Sequence, residues 1–198
     1  VGNSFYSFDL EHWGFKRDDE ETWGSYFSRM RKHPAWGTKN SVAWDVSVQG
    51  AREMNSLCIA NPNIYYFSYV TSNTILDSTS NRHVPDKNMS YIIRANARLM
   101  GMKKAYYSDG SETDSTWFEN DGIINKKSML GPTTGINGSD PISNYRINDI
   151  LIPGQWYVMG EYKSDHRKFV GHSIRKEKFE ELIKIYVEHL LLLWTLPK

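Results

Sequence analysis

The sequence holds a single cysteine, Cys58, so no internal disulfide framework can staple it. Set in Leu57-Cys58-Ile59, that thiol reads as a small buried hydrophobe. Net charge is also nearly absent: 24 Lys and Arg face 23 Asp and Glu, for a formal +1. The two signs are interspersed rather than gathered into a stripe, which excludes an electrostatic nucleic-acid binder. No apolar run approaches the ~20 residues needed to cross a bilayer, the longest being residues 190–194. No signal-peptide pattern is present, and the first residue is Val1, which reads as a processed form or a piece of a longer protein. Repeats, low-complexity tracts and composition shifts are missing too, so residues 1–198 read as one segment. With 39% apolar and 14% aromatic residues, that segment can bury a real core.

What stands out is Trp117-Phe118-Glu119-Asn120-Asp121-Gly122-Ile123-Ile124, taken together with Ser164-Asp165-His166. In the first, an apolar pair leads into acids, a glycine permits a sharp turn, and two β-branched residues follow. His166 comes 45 residues after Asp121 (166 − 121), beyond the apolar run Trp156-Tyr157-Val158-Met159. A carboxylate and then a histidine, each just outside a strand-like run, suits the last two members of a Ser…Asp…His relay. The first member is missing, because no G-x-S-x-G occurs. Taken alone, the residues favour a turn-capping carboxylate for Asp121 and a hydrogen-bonded loop histidine for His166 over the relay.

Elsewhere the patterns are mostly architectural. Trp23, Tyr26, Phe27 and Met30 mark one face of a short helix, acidic at its start, basic at its end and stopped by Pro34. His33 then reads as a helix-end cation. Asp45 is a candidate cap for a helix over residues 50–59. Residues 64–70 are nearly continuous in β-formers, as expected of an interior strand in a largely parallel sheet. Residues 71–88 read as a polar loop, 89–102 as a helix ending at Gly101, and 106–115 as a solvated acidic turn without EF-hand spacing. Residues 147–152 and 156–159 read as short strands. The closing segment, 175–196, predicts a helix with Phe179, Leu182, Ile183, Tyr186, Val187, Leu190 and Leu193 turned to the core, and His189 off that stripe and exposed. Two N-x-S/T sequons, at Asn88 and Asn137, lean towards a secreted glycoprotein.

Four motifs occur in a familiar order: Tyr6-x-Phe8-x-Leu10-x-x-Trp13-Gly14, Pro62-Asn63-x-Tyr65-Tyr66, Glu119-Asn120-Asp121-Gly122-Ile123 and Asp165-His166. Together they resemble the C-terminal half of the staphylococcal and thermophilic Bacillus-type secreted lipases, over nearly the whole chain. The resemblance implies the C-terminal part of an α/β-hydrolase fold, a mostly parallel sheet flanked by helices. It implies a carboxylic ester hydrolase of the triacylglycerol lipase kind, with Asp121 as triad acid and His166 as triad base. It places Glu11 where the family has an Asp that helps bind structural zinc, with His12 beside it, so zinc is a candidate cofactor and no cofactor is certain. It argues against calcium, because Lys168 stands two residues after His166 where the family has an acidic ligand. Lys168 would itself supply that positive charge.

The resemblance further implies that the nucleophile, its elbow and the oxyanion loop belong to an N-terminal half outside this sequence. That half is the expected partner, in a heteromer or a longer precursor, and a lipid or other ester the expected substrate. The isolated chain is then expected to be inactive. Two readings from other classes stand beside it. One is a catalytically inactive lipase-like binding or structural protein, motivated by the changed metal positions. The other is an interaction module, motivated by seven Trp and twelve Tyr.

Overall fold

The computed structural model describes residues 16–39, 42–133, 138–172 and 174–197. Glu11 with the zinc expectation, and the Asn137 sequon, lie outside the described residues. Three parallel strands form the central sheet: β1 (Tyr66–Thr71), β4 (Ile142–Asn144) and β5 (Trp156–Tyr162), in the order β1-β5-β4. Between β1 and β4 the chain forms an antiparallel hairpin, β2 (Thr74–Asp77) with β3 (Arg82–Pro85). The helices are α1 (Trp23–Arg31), α2 (Val42–Asp45), α3 (Val48–Leu57), α4 (Arg94–Met100), α5 (Lys126–Met129), α6 (His166–Phe169) and α7 (Lys176–Thr195). This is an α/β architecture, a parallel sheet flanked by helices.

The pairing of β1 with β5 sets the frame. Tyr66 faces Trp156 in register and their rings stack at 4.8 Å. A bulge between Ser68 and Tyr69 then shifts the register, so that Thr71 faces Tyr162. Parallel pairing puts the carboxyl ends of both strands at one edge, where open α/β sheets bind their ligands. A small buried cluster of Met89, Ile93 and Ala97 lies against the Asp121 stretch, whose own Trp117 and Phe118 are also buried.

Several sequence expectations are corrected. Among the described residues the strand at 66–71 pairs with β5 alone, along one edge, which leaves the interior-strand expectation from its run of β-formers open. Residues 71–88 are not a featureless loop. Asp77 accepts from the Thr79 N–H and the Ser80 hydroxyl, and Asn81 at φ 52° turns the chain into β3. Residues 147–152 carry no strand: Asn148 at φ 71° makes a turn and Ile147 and Ile150 are exposed, while β4 forms earlier. Ser47, not Asp45, caps the third helix, accepting from the Gly50 N–H at 3.0 Å. Cys58, at that helix's C-cap, is exposed rather than buried.

The closing helix forms as expected but turns another face inward. Leu182 is buried and Ile185, His189 and Leu192 are half-buried, an i, i+3, i+7, i+10 line. Phe179, Ile183, Tyr186, Val187, Leu190 and Leu193 are all exposed, together with Trp194. His189, expected to be exposed, lies edge-on to Phe67 at 5.1 Å and Tyr69 at 5.5 Å, with its Nδ1 buried and unbonded. Both outer edges of the sheet, along β1 and β4, and one apolar helix face are thus left open among the described residues.

Candidate active site

Asp121 and His166 meet at the carboxyl ends of β1 and β5. His166 Nδ1 lies 2.9 Å from Asp121 Oδ2, and the His166 N–H donates to the Asp121 carbonyl at 3.1 Å. An ionised carboxylate only accepts, so this contact sets Nδ1 as the protonated nitrogen. Among the described residues nothing bonds Nε2, and the His166 side chain keeps 36% of its surface open.

Asp121 is fully buried, and its burial is tolerated because every acceptor is used. Oδ1 takes the N–H groups of Ile123 at 2.9 Å and Ile124 at 2.8 Å. Oδ2 takes the hydroxyl of Thr71 at 2.7 Å besides the imidazole. Gly122 makes the turn possible: its φ is 97°, and a Cβ there would come within 2.7 Å of Ile93. Asn120, fully buried, braces the turn through Nδ2 to the carbonyls of Ala97 and Phe118 and through Oδ1 to the Gly122 N–H. Lys126 spans Glu119 at 3.3 Å and Glu161 on β5 at 2.7 Å, tying the stretch to the sheet.

The histidine has its own anchor. Asp165 is fully buried, caps α6 by accepting the Lys168 N–H at 3.0 Å, and takes the Ser90 N–H at 2.8 Å. The Ser90 hydroxyl approaches the same oxygen at 3.0 Å. His166, the first residue of α6, is therefore held between two buried carboxylates. Sequence reasoning singled out Asp121 and His166 but gave no role to Thr71, Asn120 or Asp165. Thr71 was read as the start of a loop; a β-branched hydroxyl ending a strand was the signal for it.

Metal ligation fits poorly here. Lys168 Nζ donates to the Asn88 carbonyl and lies 3.4 Å from Asp165 Oδ2. An ammonium already bound to those oxygens repels a calcium ion. No cluster of three or more His, Cys, Asp or Glu suited to a metal occurs among the described residues. No helix among them is long and apolar enough to cross a membrane. Asn88, the described sequon, is exposed.

A buried aspartate and a bonded histidine are thus brought together past the carboxyl ends of neighbouring parallel strands in an α/β protein. Comparison with known proteins makes this specific. The chain belongs to the family described as lipase-like, C-terminal domain, which matches residues 2–192. It is similar to the lipase of Staphylococcus hyicus, at 29% identity over 182 residues, taking in 90% of this chain and 26% of that protein. Among solved structures, EstA from Clostridium botulinum superposes with a TM-score of 0.67 at 32% identity, over 85% of this chain and 39% of the other. The Staphylococcus hyicus lipase gives 0.64 at 26% identity, over 91% and 45%. The chain thus spans about a quarter of the length of the curated relative, and less than half of each solved one.

Proposed function

We propose that this chain supplies the acid and base of a serine carboxylester hydrolase acting on lipids or related esters, the serine coming from a nucleophile-bearing part. The carrying observation is the His166 Nδ1 to Asp121 Oδ2 contact at 2.9 Å, with Asp121 buried and Nε2 unbonded among the described residues. In this reading His166 Nε2 takes the proton of the serine as its oxygen attacks the ester carbonyl. It returns that proton to the leaving alkoxide, which departs as the alcohol. A water then gives its proton to Nε2 and its oxygen to the acyl carbon, releasing the acid and restoring the serine. Asp121 stays ionised throughout, fixing the tautomer and stabilising the imidazolium. Backbone N–H groups of the nucleophile-bearing part would hold the oxyanion.

The open β1 edge and the apolar outer face of α7 support association with that part, since unpaired edges and large apolar patches are surfaces normally covered. Residues 1–198 act in this reading as one C-terminal segment, exported with its partner and working without calcium because Lys168 supplies the positive charge. Zinc held through Glu11 belongs to the same reading. The test is labelling of native material with a fluorophosphonate serine probe, then denaturing electrophoresis and intact mass. A labelled companion polypeptide or upstream segment supports the reading. A monodisperse 23 kDa monomer that hydrolyses esters by itself overturns it.

A second reading, a lipase-like binder without catalysis, is favoured by the lysine at a family metal position. Failure of any component to label, while a control lipase labels, would favour it. Ester hydrolysis abolished by His166→Ala would end it.

A further inference from the structure

Next to the His166 segment, an open cleft of about 810 Å³ separates the end of β5 and the 87–88 turn from the first half of α7. It borders the His166 segment, with Ser164 and Lys168 among its lining residues. Its volume lies in the range of small-molecule sites, roughly 300–1,000 Å³. Its floor is apolar, built on Phe169 and Leu182, while its rim carries Lys87, Lys163, Arg175 and Lys178.

Charge in the cleft is unbalanced, which is unusual for a chain of net charge +1. Glu181, the one acid among the lining residues, is taken by Lys178 at 2.7 Å. Lys163 has Asp86 at 3.4 Å, and Lys168 has Asp165 at 3.4 Å. Lys87 and Arg175 make no ion pair among the described residues, although Asp86 lies within electrostatic reach of Lys87. Arg175 and Lys176 stand at the positive end of α7, where Glu177 is the acid of the first turn.

We propose that this cleft binds a single-chain anionic amphiphile, a long-chain carboxylate, its head group on the Lys87 and Arg175 cations and its chain along the Phe169–Leu182 floor. A free inorganic anion would leave the apolar floor unused, and a flat membrane surface would not enter a concave site. The site does not depend on the catalytic reading, because binding is measured without turnover.

Isothermal titration of the full chain with laurate, kept below its micellar concentration, tests this, with glyceryl monolaurate and acetate as comparators. One laurate per chain is expected, bound at least ten-fold more tightly than either comparator. Lys87→Glu/Arg175→Glu, a change at two exposed positions checked by circular dichroism, is expected to weaken laurate at least ten-fold. Raising NaCl to 0.5 M in the unmutated protein should weaken it several-fold, since exposed charges are screened. Equal binding of laurate and monolaurate, or indifference to both charge reversal and salt, overturns the proposal. Binding only to phosphatidylglycerol vesicles and not to monomeric laurate overturns it in favour of a membrane surface.

Discussion

Thr71 and His166 contact the same carboxylate oxygen: the Thr71 hydroxyl lies 2.7 Å, and His166 Nδ1 2.9 Å, from Asp121 Oδ2. The oxygen that orients the histidine is thus itself oriented from the end of β1. A hydroxyl in that position donates to the carboxylate and fixes its plane.

Replacing Thr71 by Val keeps the shape and removes the donor. Hydrogen bonds to charged groups are worth about 1.5–3 kcal/mol, so kcat should fall roughly ten- to hundred-fold. KM should stay nearly unchanged, and Thr71→Ser should restore most of the rate. An unchanged kcat for Thr71→Val, measured on the chain with its serine-bearing part, would remove Thr71 from the relay.

Asp121→Asn should leave the turn largely intact but let the imidazole take the wrong tautomer. A loss of about 10⁴-fold in kcat is expected on the precedent of triad aspartates. Activity within ten-fold of the unmutated protein would mean that Asp121 is only a turn residue.

Gly122→Ala places a side chain at φ 97° and within 2.7 Å of Ile93. The backbone alone should cost about 1–2 kcal/mol. Urea unfolding checks this. Adding Ile93→Val should recover only the part due to contact, leaving the backbone cost in place.

Burial holds the His189 imidazole below its ordinary value of 6.5. Below that pH the unfolded chain takes up a proton that the folded chain refuses, so stability falls as pH drops from about 6.5 through the folded value. His189→Leu removes that slope and also the unbonded buried Nδ1. Urea midpoints at pH 7.5 and 5.5 should therefore differ less in the variant than in the unmutated protein. An equal or larger difference would contradict the burial of this ring.

Calcium chelation should leave the melting temperature unchanged, because Lys168 already holds the Asn88 carbonyl and stands beside Asp165. A fall of several degrees on adding EGTA, reversed by calcium, would show that this lysine does not take the cation's place.

Much of the fold was legible because it is written in local terms. The run of β-formers at 64–70 gave β1, the aromatic spacing Trp23, Tyr26, Phe27 gave α1, and the apolar period of 175–196 gave α7. The motif Glu119-Asn120-Asp121-Gly122-Ile123 carries its own turn chemistry, so the carboxylate could be found without coordinates. The β2–β3 hairpin and β4 were not legible: the former depends on an Asx turn and an αL asparagine, and the latter on pairing with β5.

By itself, then, the sequence determined the element types, the Asp121 turn and the candidate histidine, because helix period, strand composition and turn residues act over a few neighbours. Which face of α7 is buried, and which donors complete Asp121 Oδ2, were decided by tertiary structure alone. Thr71 and Asp121 are 50 residues apart, and Ser90 and Asp165 are 75 apart. Only the parallel pairing of β1 with β5, and the packing of the intervening chain beneath it, brings such groups within hydrogen-bonding distance.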